Sequence, residues 1–354
     1  MDKKNVVCFP QFANYACAFR YMFEKGFEVD YLVPPTMTKR TLELGSKHSP
    51  DYVCAPFKLC LGCYIEALEA GATCLMQIFG ACRLNYYGEL SEQILKDLGY
   101  EFKMFNMVEI NWHSASSIME HFRIVNPDVS VVKVAAAIPT MLKIIQTVDK
   151  FDDFIRHNVG FEVNIGDFED VYAEFLSKLN KLESKKELKK LTREYWKKLN
   201  KIPVKKPSKT LKVGMVGDYY TVQEPFSNYF MERELAKMGM EIYRKMNFTS
   251  TIIHSQFAKR TKLAKKYIKF NIGATSNYTI GEAVEFAKNG VDGIIQVKSF
   301  GCTPEIDAMP ILQNISRDYK IPILHFSFDS QTSETGVRTR LEAFYDMVEA
   351  KKSK

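Results

Sequence analysis

Short apolar runs alternate with amphipathic stretches in two separate series along this chain, and that alternation limits the possible folds more than any other feature. The first series reads as strands at 5–9, 29–33, 73–79 and 102–107, with helices at 12–25, 56–70 and 87–98 between them. The second reads as strands at 211–216, 241–243, 293–297 and 322–328, with helices after Glu224-Pro225, at 249–264 and 279–289, after Pro304 and at 333–350. Strands separated by helices pair in parallel, because a parallel neighbour needs a crossover long enough to hold a helix. Between the series, residues 110–200 lack strand signals and read as helical. Residues 201–209, with Pro203 and Pro207, read as a linker. The expectation is an α/β chain of two Rossmann-like parallel-sheet lobes, 1–109 and 211–354, with a helical insert and basic linker over 110–210.

A chain of 354 residues exceeds the size at which a single core stops growing, in keeping with two lobes. The N-terminus has no apolar leader, and no uninterrupted apolar run reaches the roughly 18 residues of a membrane span, which reads as a soluble, cytoplasmic protein with no membrane role. Eight cysteines in such a chain point to metal or redox chemistry before disulfides. The net charge of +7 is local: residues 178–209 carry thirteen Lys or Arg against three Glu, which leaves the rest at −3. Leu188, Leu191, Tyr195 and Leu199 recur there at helical spacing, so the stripe reads as the solvated face of a helix, with docking of an acidic partner as a second use. No helix-turn-helix, RNP or zinc-finger pattern accompanies it, and nucleic acid is not expected as a partner.

Two Cys-x-Pro elements, Cys54-Ala55-Pro56 and Cys302-Thr303-Pro304, each read as the handover from a strand to a helix. Proline suits the first helical turn and a helix N-terminus carries partial positive charge, so a thiolate placed just before it is stabilised. Cys82 follows the third strand run. The carboxyl ends of strands are where open α/β sheets bind ligands, and three thiolates in one crevice would hold a soft metal with one coordination position open. Cys8, inside a strand, and Cys17, on an apolar helix, read as small buried hydrophobes. Five cysteines between positions 54 and 82 are too dense for packing alone, which adds Cys60, Cys63 and Cys74 as candidate metal ligands. Cys60-Leu61-Gly62-Cys63 has the spacer of a zinc knuckle, but it falls in the first turns of a helix, where i and i+3 share a face, and no histidine lies at ligand spacing. An all-sulfur set favours iron–sulfur over catalytic zinc, with a redox dithiol still open.

Other residues carry weaker signals. Arg83 follows Cys82 and is a candidate for charge-assisted hydrogen bonds to a cluster sulfide or an anionic substrate, or for a salt bridge. Thr279-Ile280-Gly281-Glu282 reads as a capping box. The glycines of Val213-Gly214-Met215-Val216-Gly217-Asp218 read as a tight turn beside the site. Glu224 and Glu305 suit either acid–base work or a helix N-terminus.

Taken in order, several of these motifs resemble a known family: Cys54-Ala55-Pro56-Phe57-Lys58, Glu66-Ala67-Leu68-Glu69-Ala70-Gly71-Ala72, Ala81-Cys82-Arg83 and Tyr86-Tyr87-Gly88-Glu89-Leu90, then Glu224-Pro225-Phe226, Cys302-Thr303-Pro304-Glu305 and Asp329-Ser330-Gln331-Thr332-Ser333. They look like the cluster-binding subunits of the 2-hydroxyacyl-CoA dehydratases, and more closely like the single-chain relatives called CoA-protein activase or dehydratase component D. The resemblance spans nearly the whole chain and is weakest in its helical middle. It implies that Cys54, Cys82 and Cys302 hold a 4Fe-4S cluster whose fourth iron takes a non-protein ligand or substrate. It also implies an oxygen-sensitive protein that takes low-potential electrons from a separate ATP-dependent iron–sulfur activase and works as a homodimer or beside a related subunit. The cluster would then reduce a small substrate or an acyl-CoA. Cys60, Cys63 and Cys74 depart from the usual pattern; six thiolates are the number for an 8Fe-9S double cubane, held in a related branch. The competing class is a non-catalytic electron carrier or a metal-stabilised scaffold, with zinc as the metal.

Overall fold

The computed structural model describes residues 5–77, 82–273 and 275–353. The chain forms two compact units, Met1–Ile145 with Phe175–Thr192, and Gln146–Glu174 with Arg193–Lys354. Among the described residues each contains one four-stranded, all-parallel sheet. This is the α/β architecture of two parallel-sheet lobes that the alternation requires.

In the first unit the chain runs β1 (Val6–Cys8), α1 (Ala16–Tyr21) prolonged by a π-helical segment at Met22–Phe27, β2 (Asp30–Tyr31), α2 (Lys39–His48), α3 (Ala55–Glu69), β3 (Cys74–Gln77), α4 (Tyr87–Asp97), β4 (Lys103–Asn106) and α5 (Ala115–Val125). The sheet order is β2-β1-β3-β4. Phe57, Leu61, Tyr64 and Ile65 of α3 and Leu95 of α4 pack with Cys8 and Leu75 in one buried cluster. Phe27, Phe105 and Phe122 meet edge to face in another part of the unit. The helix α2 is not foreseen in the sequence, and it separates Cys54 from the strand expected directly before it. Its start is fixed by a capping box between Thr38 and Thr41. It then runs so close to α3 that a Cβ at Gly45 would overlap the Lys58 carbonyl oxygen, and a Cβ at Gly62 would overlap that of Thr41. Glu66 of α3 accepts from the Thr41 hydroxyl at 2.6 Å and from Arg40 at 3.0 Å, which ties the pair together.

The helical middle comprises α6 (Val131–Asn158), α7 (Asp167–Leu179) and α8 (Lys185–Leu199), and the division between the units passes through all three. By length and composition α6 passes for a membrane span. It carries Lys133 and Lys143 within its apolar stretch and Asp149, Lys150, Asp152 and Asp153 beyond it, while Val134, Ala137, Ile144, Ile145, Val148 and Phe151 are buried, the pattern of a core helix. In α8, Leu188, Leu191, Tyr195 and Leu199 are buried and the lysines face outward, as an amphipathic helix requires.

The second unit continues with β5 (Leu211–Gly217), α9 (Met231–Lys237), β6 (Met240–Tyr243), α10 (Phe257–Ala264), α11 (Ser276–Lys288), β7 (Gly293–Ser299), α12 (Thr303–Tyr319), β8 (Ile323–Phe328) and α13 (Glu334–Lys352). The order β6-β5-β7-β8 repeats that of the first unit. Ile295 and Val297 face a cluster with Leu235 of α9 and Leu341 and Phe344 of α13. Ile294 faces the opposite side, with Ala283 and Phe286 of α11 and Leu312 and Ile315 of α12. Every residue of β7 is buried, the polar Gln296, Lys298 and Ser299 as well as the apolar Ile294, Ile295 and Val297.

Because α2 and α3 meet backbone to backbone, Gly62→Ala should force them apart and lower stability by about 1–3 kcal/mol. Gly336→Ala, in the exposed first turn of α13 where a Cβ finds room, should change stability by no more than ~1 kcal/mol and in the favourable direction. Urea denaturation of the two variants checks this; equal effects would contradict the close approach.

Candidate functional site

In both sheets the chain leaves the first strand toward one edge and returns to place the third strand on its other side. The sequence-adjacent segments after β1 and β3, and after β5 and β7, therefore diverge at the carboxyl ends of neighbouring strands, the position where such sheets bind ligands. Cys82 follows β3 and precedes α4; Cys302 follows β7 and precedes α12. By topology these two cysteines correspond. Cys54 heads α3, in the crossover before the third strand, and its counterpart is Thr275, the residue that heads α11. The pairing of Cys54 with Cys302 as a repeated strand-to-helix unit is thus corrected: the two share the Cys-x-Pro helix start but not the place in the lobe.

Cys54 and Cys302 each occupy the N-cap with proline in the first turn behind them, and neither side chain caps its own helix. Both are half-buried, and Cys82 is exposed. In the first unit Cys54 Sγ lies 3.5 Å from Tyr87 Oη. Burial, then the Cys54 charge and hydrogen bond, and more weakly the charge of Cys82, hold the Tyr87 phenol well above the ordinary tyrosine value. Cys54 and Cys82 therefore both act on one phenol. The side chain of Arg83 and residues 78–81, including Gly80 and Ala81, lie outside what the structure describes.

The remaining cysteines have a different setting. Cys63 is 1% exposed and Cys74 is fully buried. Burial pushes the Cys74 and Cys8 thiols up to about 12, so both remain protonated. Cys60 is half-buried against the same apolar cluster. No disulfide joins any of the eight cysteines. Among the described residues, no group of three or more His, Cys, Asp and Glu side chains is gathered closely enough to hold a metal ion. Cys54, Cys60, Cys63, Cys74 and Cys82 belong to the first unit, and Cys302 to the second.

Around Cys302 the second unit builds a floor of buried polar side chains. Asp218, at the end of β5, accepts from the amide of Thr221 at 2.7 Å and from that of Ser299 at 2.6 Å, which pins the end of β5 to the end of β7. Gly217 lies so close to β7 that a Cβ would overlap the Val297 carbonyl oxygen. Glu305, fully buried in the first turn of α12, accepts from Thr275 at 3.0 Å, Thr279 at 2.9 Å and Gln296 at 2.9 Å. The other end of Gln296 meets His325 Nδ1 at 2.7 Å. Burial pushes Glu305 up to about 7, the Gln296 hydrogen bond opposing and the Asp218 charge adding to it. Lys298, buried at the end of β7, is held below the usual lysine value by burial, with the charges of Cys302, Asp218 and Glu305 opposing. Lys298 escaped the sequence reading because it sits inside a run that otherwise looks like apolar strand.

Two sequence expectations change here. Thr279 does not cap a helix: α11 starts at Ser276, and the Thr279 hydroxyl serves Glu305 and the Gly217 carbonyl instead. Glu282 is likewise no capping partner; it is buried, accepts from the Lys245 amide at 2.5 Å and is pushed up to about 7 by burial. Glu224 accepts from the Phe226 amide at 3.2 Å, a local turn contact.

A carboxyl whose folded value lies above its unfolded one contributes stability that is fully present below about pH 4.5 and lost as pH rises through about 7. Glu305→Gln should remove this dependence, so the variant's stability relative to wild type should rise steadily between about pH 5 and about pH 8. Urea titrations across that range check it, and a constant offset at every pH would contradict a titrating buried Glu305.

The profile of the family described as 2-hydroxyglutaryl-CoA dehydratase, D-component, matches residues 148–348, a span that includes β5 to β8, the buried floor and Cys302. No curated protein matches the chain. With more than half of its length under that profile, the chain belongs to the 2-hydroxyglutaryl-CoA dehydratase D-component family, and is a 2-hydroxyacyl-CoA dehydratase-type component.

Proposed function

We propose that this chain is an oxygen-sensitive, cytoplasmic iron–sulfur protein that takes low-potential electrons from an ATP-dependent activase and reduces a small substrate or an acyl-CoA, working as a homodimer or beside a related subunit. The observation that carries the reading is the setting of Cys302: a half-buried thiol at a helix N-terminus, at the switch point of a family-matched parallel sheet, over a floor of buried Asp218, Lys298 and Glu305. The donor chemistry, thiols without histidine, suits an iron–sulfur centre, although these side chains are not gathered around one point in this structure. Cys54, Cys82 and Cys302 would be its ligands, each at least partly accessible and two of them at helix N-termini, where partial positive charge favours the thiolate. When bound, such a centre supplies single electrons of low potential.

Burial of Cys63 and Cys74 supports a single 4Fe-4S cubane over the 8Fe-9S double cubane. A ligand must be a thiolate, and apolar burial of the kind that keeps Cys74 protonated works against one. Lys298 would balance negative charge at the Cys302 side, and Glu305 would fix the first turn of α12, so that Cys302 is held by packing and hydrogen bonds and not by the metal alone.

Cys54→Ser, Cys82→Ser and Cys302→Ser should each abolish the cluster's charge-transfer absorbance in anaerobically prepared protein. Cys63→Ala and Cys74→Ala should keep the absorbance and about four irons per chain, with stability lowered by about 1–2 kcal/mol through lost packing. Full iron in any of the three serine variants removes that residue from the site, and iron lost in either alanine variant overturns the single-cubane assignment.

A further inference from the structure

We propose that the outward face of α8 is a docking ridge for an acidic protein surface. Lys186, Lys189, Lys190, Arg193 and Lys197 are all exposed. At about 100° per residue they fall within roughly 100° of the helix circumference, opposite the stripe of Leu188, Leu191, Tyr195 and Leu199 that is buried in the core. They span about 17 Å along the axis. Among the described residues none of the five makes an ion pair or a side-chain hydrogen bond. The two acidic residues of the helix lie to one flank and are engaged elsewhere: Glu187 accepts from the Glu183 amide at 2.9 Å, and Glu194 pairs with Lys198 at 3.7 Å.

Folding of α8 accounts for its apolar stripe but not for this ridge. Cations three and four residues apart on one face repel, as Lys186 does with Lys189 and Lys190, and Arg193 with Lys189, Lys190 and Lys197. The helix dipole favours a cation in the last turn, which covers Lys197, but Lys186 stands in the first turn, at the positive end. Charges so placed serve the helix poorly and suit an anionic partner. What accompanies them selects protein over lipid and nucleic acid. A helix lying in a membrane surface needs its apolar face free, and that of α8 is buried. Readers of nucleic acid set aromatic or amide side chains among their cations, and this ridge has neither. Carboxylates on a partner helix recur three and four residues apart, the interval of the cations here, so two such ridges pair charge to charge.

Taking that surface to be the electron-delivering activase's rests on the function proposed above. A chain reloaded one electron at a time needs a partner that docks and leaves quickly, and solvated charge pairs speed association without locking the complex. One variant carries Lys186→Gln, Lys189→Gln, Lys190→Gln, Arg193→Gln and Lys197→Gln together, which keeps good helix formers on the ridge. The control loses the same charge from exposed lysines outside it, Lys259, Lys262, Lys269, Lys288 and Lys351, each changed to Gln. Association with the purified activase at about 50 mM salt, followed by surface plasmon resonance, should slow at least about tenfold in the ridge variant and no more than about threefold in the control. Raising the salt to about 500 mM should bring the wild type down to the variant's rate. The thermal midpoint of the ridge variant should equal or exceed that of wild type, since repulsion is relieved. A lowered midpoint assigns the ridge to the fold and overturns the proposal, as do equal slowing in both variants, an unchanged rate in the ridge variant, or a wild-type chain that does not bind the activase. If the ridge variant instead loses binding to phosphatidylglycerol vesicles or duplex RNA while its activase rate holds, lipid or nucleic acid is the occupant and the proposal falls. Protein that holds no iron but docks through the ridge keeps the docking site and defeats the cluster reading alone.

Discussion

Parallel pairing of the third strand of each sheet against the first is the constraint on which the rest of this structure depends. It obliges the chain to return across the sheet, so the segments leaving β1 and β3, or β5 and β7, part company just beyond the strand ends. Backbone amides and helix N-termini then face a crevice that the sheet itself cannot fill. Cys82 and Cys302 stand at matching points of that construction, and Cys54 heads the helix of the preceding crossover.

Holding the crevice open in the second unit requires polar groups to be buried beneath it, and burial of unpaired polar atoms is costly. Asp218 answers this by accepting two backbone amides, and Glu305 by accepting from three side chains drawn from α11 and β7. Neither carboxyl is comfortable: burial raises both, which is expected where a rigid polar floor has been assembled at the expense of solvation. The first unit has no matching carboxyl described beneath Cys54; it has the Tyr87 phenol instead, braced by Phe57. The two units thus share topology while surrounding their cysteines with different chemistry.

What could be read from the sequence followed burial. β5 and β7 are buried along nearly their whole length, so their composition announces them, and the apolar stripe of α8 survives a dense run of lysines. The helix α2 stayed hidden because its interior holds Gly45, a poor helix former kept there by the approach of α3, a contact that sequence periodicity does not encode. The start of α11 was misplaced because Thr279 and Glu282 imitate a capping box, while the polar residues Thr275, Ser276 and Asn277 that begin the helix look like a loop. The proposed ligands Cys54 and Cys302 drew notice in the sequence through the prolines behind them, whereas the deeper burial that sets Cys63 and Cys74 apart from them carried no sequence signal. The burial of Lys298 and the contact of Tyr87 with Cys54 depend on tertiary neighbours and carried no local signal.

The most direct test of the central claim is the iron and acid-labile sulfide content of anaerobically prepared protein. A single cubane on Cys54, Cys82 and Cys302 predicts about four of each per chain. About eight irons would contradict the core role of Cys63 and Cys74, and zinc without sulfide would contradict the iron–sulfur account altogether.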